Sequence, residues 1–367
     1  MDVGIFTNTP AHVHLYRECI DVLNDNDHRV TVFARDDGPT LDLLDYYNIA
    51  YRVYGRRDLT TYGLIREVPG QLWSIRQIVA ENDLDLVIGM GVFSTFAALV
   101  ARCDSLVVMD SEPMATIQRL GDPLVSAFLT PSSFQRDLGS KHYVFDGFKE
   151  TAYLHPDVYN PDPGVREELG LGADESFTLV RFNAFNGHHD VRQRGFSPAQ
   201  KRELLTELDT HTTVLVSDEA NDLDLNAHPG RPYTAHPARI HDALAEADLL
   251  IADTQTMVTE AALLGTPAIR SNSFVGDSDM GNFQALEQAG LVVNLDSFTD
   301  VLDTTHELLN DPDTASLWRE RRRTFMEDKC NLTAVLVDLI EHIGKTGSVD
   351  DAVHYQRSLR PRTQHSL

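Results

Sequence analysis

Lysine is scarce in this sequence: of 31 basic residues only Lys141, Lys149, Lys201, Lys329 and Lys345 are lysines, set against 56 acidic residues. With a formal charge of −25 and no Lys/Arg stripe of useful length, the chain lacks the basic face that a phosphate backbone requires, so no nucleic-acid partner is expected. Cysteine is scarce as well. Cys19, Cys103 and Cys330 are odd in number, far apart and without a Cys-x-x-Cys spacing, which excludes a disulfide framework or a zinc ribbon and leaves buried thiols as the expectation. Long apolar runs are missing too: no stretch approaches the roughly 18 uninterrupted apolar residues of a membrane span. The opening DVGIFTNTP has neither a basic leader nor an apolar core, so neither secretion nor a transmembrane segment is expected and the cytoplasm is the expected location.

The carboxylate excess reads as adaptation to high salt. Carboxylates hold water and ions at a surface that molar salt would dehydrate, and the short Debye length there screens the self-repulsion of so many like charges. A haloarchaeal cytoplasm is the environment this implies. An anionic ligand in such a protein needs a local cationic pocket.

The chain has 367 residues, 42% of them hydrophobic and 8% aromatic, which is more than one core accommodates and fits two globular domains. In the first half, β-rich runs at 2–7, 29–34, 50–54, 85–89, 105–110 and 126–130 alternate with helical patterns near 13–25, 39–47, 63–82 and 93–101. Such alternation specifies a parallel sheet covered on both faces, with ligands at the carboxyl ends of its strands. The prolines and turn formers of HPDVYNPDPG, 155–164, mark a linker. A second α/β pattern follows, with strands at 176–182, 212–217, 248–253, 267–271 and 291–294. Its helices fall near 198–208, 238–246, 257–264 and 281–289. The expected domains are therefore 1–155 and 156–347, the last helices of the second packing back toward the first, with a polar tail over 348–367.

The segment ADLLIADTQTMVTEAALLGTPAIRSN, 247–272, carries the strongest chemical signal. An apolar strand runs through a tight turn at Thr254 into a helix at Thr256 and Met257, whose first amides and dipole suit a phosphate. One turn on, Glu260 can accept hydrogen bonds from two ribose hydroxyls. The bland alternative is an ordinary strand-turn-helix with Thr256 as cap and Glu260 in solvent. Arg181 ends the first strand of the second half, where its fork suits diphosphate oxygens, with Ser217 at the next strand end; a surface ion pair is the alternative for Arg181. In the first half, His12 and His14 follow the first strand. An imidazole of ordinary pKa, about 6.5, can take a proton from a hydroxyl, and the His-x-His spacing turns the two rings apart, so one at most need act. Asp110 and Glu112, past a later strand, are candidate acids or bases. His188-His189-Asp190 offers no recognisable third ligand, so no metal is expected there. Gly89-Met90-Gly91 suits a tight strand–helix turn, and Asn331-Leu332-Thr333 a helix cap.

These residues together resemble GT-B proteins, including UDP-GlcNAc 2-epimerases, and more specifically the archaeal domain-of-unknown-function family 354. Thr9-Pro10-Ala11-His12-Val13-His14, Ala34-Arg35, Pro161-Asp162-Pro163 with Arg166–Gly170, Val180-Arg181, and Glu260-Ala261-Ala262 through Pro267-Ala268-Ile269 follow that family's layout in order. The resemblance implies a GT-B architecture: an α/β fold of two Rossmann-like domains with parallel sheets facing an interdomain cleft. It further implies a glycosyltransferase using a nucleotide sugar, UDP-linked, with no cofactor and no bound metal. Arg181 and the helix at Thr256 would neutralise the diphosphate, Glu260 would hold ribose, and His12 or His14 would act on a glycan or lipid-linked acceptor. A nonhydrolysing UDP-sugar 2-epimerase working through Asp110 and Glu112 is the alternative. The third reading is a non-catalytic nucleotide-sugar or glycan-precursor binder, because Thr254-Gln255-Thr256-Met257 stands where the family carries Gly-Gly-Thr-Met, and Val258-Thr259 where it carries Asn-Arg. Peripheral membrane contact and a homodimer stay open.

Overall fold

The computed structural model describes residues 1–57, 61–110, 122–183, 195–220, 223–276 and 279–349, without the side chains of 61–66. Glu112 and His188-His189-Asp190 lie outside the described residues. The chain divides into two compact units, Met1–Tyr153 joined by the segment from Cys330, and Leu154–Lys329.

In the first unit the strands are β1 (Asp2–Thr7), β2 (Arg29–Asp36), β3 (Tyr51–Arg56), β4 (Leu86–Gly89), β5 (Asp104–Val108), β6 (Ala127–Pro131) and β7 (His142–Phe145), and the helices α1 (Pro10–Asp25), α2 (Thr40–Tyr46), α3 (Thr61–Ala80) and α4 (Val92–Ala101). The seven strands lie in the order β3-β2-β1-β4-β5-β6-β7, every pair parallel. The order reverses between β1 and β4, which opens the crevice where ligands of doubly wound sheets bind. Central strands are buried on both faces, as uninterrupted apolar runs such as Leu86-Val87-Ile88 require. On one face Phe6 stacks on Phe33 with ring centroids 4.5 Å apart, within a core that includes Tyr54, Ile75 and Val87. The glycine-rich β4–α4 turn is as tight as the sequence suggested. A Cβ on Gly89 would lie 2.7 Å from Ser94 Cβ and 2.9 Å from Phe6 Cβ, and Gly91 has φ +95°, a conformation that glycine tolerates.

The second unit repeats the plan. Its elements are β8 (Phe177–Phe182), α5 (Pro198–Leu208), β9 (Thr213–Asp218), β10 (Arg231–Pro232), α6 (Ile240–Glu246), β11 (Leu249–Ala252), α7 (Thr256–Leu264), β12 (Ala268–Arg270), α8 (Gly281–Gln288), β13 (Val293–Asn294), α9 (Phe298–Asn310) and α10 (Thr314–Met326). The strand order is β10-β9-β8-β11-β12-β13, again parallel, so its reversal falls between β8 and β11. Two parallel Rossmann-like sheets of seven and six strands make this a GT-B architecture. Ser197 and Gln200 close a capping box on α5.

Three sequence expectations change. Strands β7 and β10 were not foreseen. The proline-rich stretch 155–164 is not a bare linker, because Tyr159 Oη donates to Asp242 Oδ1 at 2.6 Å and Arg239 pairs with Asp162 at 2.8 Å, fastening it to the second unit. The cysteines are free, but only Cys19 is fully buried, Cys103 and Cys330 being half-buried. After Cys330 the last helix, α11 (Leu332–Thr346), belongs to the first unit and packs on α1. Asn331 caps it by accepting from the Ala334 amide at 3.3 Å, as its sequence context suggested. Among the described residues no helix is long and apolar enough to cross a membrane.

Candidate functional site

The switch point of the second sheet gathers the donors that the sequence placed there. Arg181, near the end of β8, pairs in register with Ser217 on β9 and with Ala252 on β11. Its guanidinium donates to Ser217 Oγ and to a carboxylate oxygen of Glu219. It therefore makes the ion pair that the sequence held as an alternative, and an incoming anion would compete with Glu219. From Ala252 the chain turns through Asp253 and Thr254 into α7. Gln255, not Thr256, stands at the N-cap and supplies no side-chain hydrogen bond, so no capping side chain claims the amides of the first turn, at Thr256 and Met257. The buried Thr254 Oγ1 also has no partner among the described residues.

Asp253 organises this edge. It is buried, its Oδ1 accepts from the Asn183 amide at 2.6 Å, its Oδ2 accepts from the Phe196 amide at 3.2 Å, and Asn272 Nδ2 donates to its carbonyl at 3.0 Å. Burial pushes its carboxyl up to about 7, against the pull of the Asn183 and Phe196 amides and Lys201. Asp253 thus fixes both ends of the chain leaving β8 against the start of α7.

Glu260 is placed differently from the expectation of a cleft-facing ribose acceptor or a solvated residue. It lies on the buried face of α7, with Oε1 3.0 Å from Nε2 of the equally buried His241. A carboxylate in this position is held by the imidazole, because burial penalises an unpaired charge. Arg270, at the end of β12, was missed by sequence reasoning. It is fully buried, bonds Asn294 Oδ1 at 2.9 Å and Asp279, and lies over the Phe283 ring at 3.5 Å.

In the first unit, the loop after β1 carries a second polar cluster. The Asn8 amide donates to His12 Nδ1 at 3.2 Å, while Asn8 Oδ1 accepts from Tyr54 Oη at 2.8 Å and Asn8 O from Arg35 Nε at 3.2 Å. With Nδ1 occupied as an acceptor, the tautomer assigned to His12 carries its proton on Nε2. Loss of hydration, then Lys149 and Arg35, push its pKa down to about 3, with Asp110 pulling weakly the other way. The imidazole is therefore neutral and a weak base, which corrects the expectation of ordinary proton affinity. His14 turns inward: it is buried, its ring 5.6 Å from that of Tyr153 and 6.0 Å from that of Tyr47. That is a packing position.

Asp110 does stand past β5 at the carboxyl end of the sheet, paired with Lys149 Nζ, which also lies 3.4 Å from Glu150 Oε1. Burial works against the Lys149 charge, but Asp110 and Glu150 more than offset it and hold the ammonium above its ordinary range. Lys149 was not singled out from the sequence. Its rarity as one of five lysines in so acidic a chain was the available signal. Of the proposed residues, Arg181 and Ser217 touch at the carboxyl end of the second sheet, Thr254, Thr256 and Met257 follow β11 at that same end, His12 and Asp110 follow β1 and β5 of the first sheet, and His14 and Glu260 are buried.

No protein-family model and no curated protein matches the sequence. Solved structures do match in fold. A protein of Listeria monocytogenes assigned as a UDP-N-acetylglucosamine 2-epimerase superposes with a TM-score of 0.64 at 13% identity, covering 100% of this chain and 99% of that one. The kitacinnamycin glycosyltransferase gives 0.60 at 14% identity over 93% and 98%. The UDP-GlcNAc 2-epimerase of Neisseria meningitidis, bound to UDP-GlcNAc, gives 0.60 at 14% over 98% and 99%. The chain thus has the GT-B fold, the architecture shared by these glycosyltransferases and UDP-GlcNAc 2-epimerases.

Proposed function

We propose that this chain is a GT-B glycosyltransferase that takes its sugar from a nucleoside diphosphate, the second unit holding the donor. The observation that carries the reading is that Arg181 ends β8 in register with Ala252, the residue from which the chain turns into α7, whose N-cap residue supplies no side-chain hydrogen bond. Cation, amides and the Thr254 hydroxyl together suit a diphosphate, and the relatives of like fold include proteins bound to UDP-GlcNAc and UDP-glucose. UDP is the donor nucleotide of the proposal, Arg181 displacing Glu219 to meet its phosphates. In the reaction the bond between the anomeric carbon and the diphosphate oxygen breaks, its electron pair leaving with the diphosphate. The acceptor oxygen bonds to that carbon and loses its proton. Arg181 and the α7 amides stabilise the departing charge in place of a metal. The candidate acceptor base is Asp110 rather than His12, whose Nε2–H is a hydrogen-bond donor. The acceptor is a glycan or a lipid-linked sugar. The excess of carboxylates, 56 acidic against 31 basic residues, supports a protein adapted to high salt.

The UDP-sugar 2-epimerase reading has one observation in its favour, the half-buried Asp110–Lys149–Glu150 cluster, a set of groups suited to moving a proton at a sugar carbon. Incubating the protein with UDP-GlcNAc and UDP-glucose in molar KCl, with and without a glycan acceptor, separates the two. Acceptor-dependent release of UDP supports transfer, conversion of the sugar nucleotide without acceptor supports epimerisation, and neither product contradicts both enzymes and leaves the binder.

A further inference from the structure

Glu207 stands at the carboxyl end of α5, His211 follows it by four residues, and His306 lies on α9. His306 Nε2 is 2.9 Å from Glu207 Oε1, and the His211 and His306 rings meet edge to face with centroids 4.8 Å apart. One ligand-capable atom from each of the three residues lies within 4.8 Å of the other two. A tetrahedral ion with bonds of about 2.1 Å sets its ligand atoms about 3.3 Å apart, so modest side-chain rotation closes this set around one ion. The segment after α5 enters β9 at its amino end, so the trio lies at the edge of the sheet opposite Arg181 and α7 and takes no part in the site described above.

Two imidazoles and one carboxylate form a nitrogen-rich set that selects zinc, nickel or copper over magnesium and calcium, which favour all-oxygen sites. The acidic chain, at −25, concentrates divalent cations near its surface. We propose that Glu207, His211 and His306 form a binding site for a divalent transition metal of the zinc class that ties the end of α5 to α9. Three protein ligands leave a fourth position for water.

The test is titration calorimetry and thermal melting of the tag-free, chelator-treated full chain with ZnCl2 at neutral pH, with MgCl2 as control. The expected result is one zinc equivalent bound, a higher melting temperature with zinc and none with magnesium, and at least a tenfold loss of zinc affinity in both His211→Ala and His306→Ala. His211 is exposed and the His306 side chain is 36% exposed, so these replacements leave the fold intact, which melting without metal verifies. A double variant of the other histidine pair, His188→Ala with His189→Ala, keeps the binding. No zinc binding, unchanged affinity in the trio variants, or loss in the His188/His189 variant would overturn the site.

Discussion

Two buried or half-buried groups give opposite pH signatures, and the sign of each follows from its surroundings. His12 is held neutral, with its pKa down at about 3, so between about 6.5 and 3 the unfolded chain binds the proton that the folded chain refuses. Its contribution to stability is complete above that window and is lost as pH falls through it. Asp253 is raised to about 7, so between about 3.9 and 7 the folded chain holds the extra proton and stability from this group declines as pH rises. For one proton the steepest slope is about 1.4 kcal/mol per pH unit. Urea unfolding across pH 4 to 7 therefore separates them: His12→Asn flattens the acid-side loss, and Asp253→Asn flattens the decline toward neutrality. An unchanged pH profile in either variant contradicts the corresponding environment. Asp253→Ala additionally strands the Asn183 and Phe196 amides and is expected to cost about 1–3 kcal/mol in the same experiment. None of this was legible from the sequence, where Asp253 was merely the end of a strand. Its two amide partners are 70 and 57 residues away, and only the parallel pairing of β8 with β11 brings them together.

At the scale of elements, the strand–helix turns carry the proposed site, and their tightness can be tested directly. Gly89→Ala places a Cβ against Ser94 Cβ and Phe6 Cβ, and such overpacking is expected to lower stability by about 1–3 kcal/mol, read as a reduced melting temperature. An unchanged melting temperature means that α4 can retreat from β4. Ser197→Ala removes half of the capping box on α5 and is expected to cost about 1 kcal/mol. Elements of this kind were readable because their local chemistry is self-contained: continuous apolar runs for β1, β4, β8 and β11, and glycines for the turn after β4. Strands β7 and β10 were not readable. β7 has four residues, and β10 has two with Pro232 among them, at the edge where a missing amide is tolerated. Tyr143, Val144 and Phe145 suit a strand, but β7 is too short for a periodic signal, and β10 forms only as a parallel neighbour of β9. Likewise Glu260 was expected in a cleft or in solvent, whereas it is buried against His241, nineteen residues earlier.

For the whole molecule, the charge of −25 is unevenly answered. Inner cations such as Lys149 and Arg270 are paired, so the surplus carboxylates repel one another mainly across the surface, where salt screens them. Melting temperature is therefore expected to rise steadily from dilute buffer to molar KCl, and a flat or falling curve in calorimetry contradicts the high-salt reading. Nearly all of the doubly wound plan was present in the order of apolar runs, and so was the strand end that Arg181 occupies. The identity of its resting partner, Glu219, was not, because it depends on how the chain leaves β9. That partner sharpens the central claim, that Arg181 and the first turn of α7 receive a diphosphate. Isothermal titration of UDP into the wild-type chain and into Arg181→Ala, both in molar KCl, measures this most directly. Binding by the wild type with at least tenfold weaker binding by the variant, about 1.4 kcal/mol, is the predicted result. Equal affinity in the two proteins, or no binding of UDP by the wild type, would contradict it.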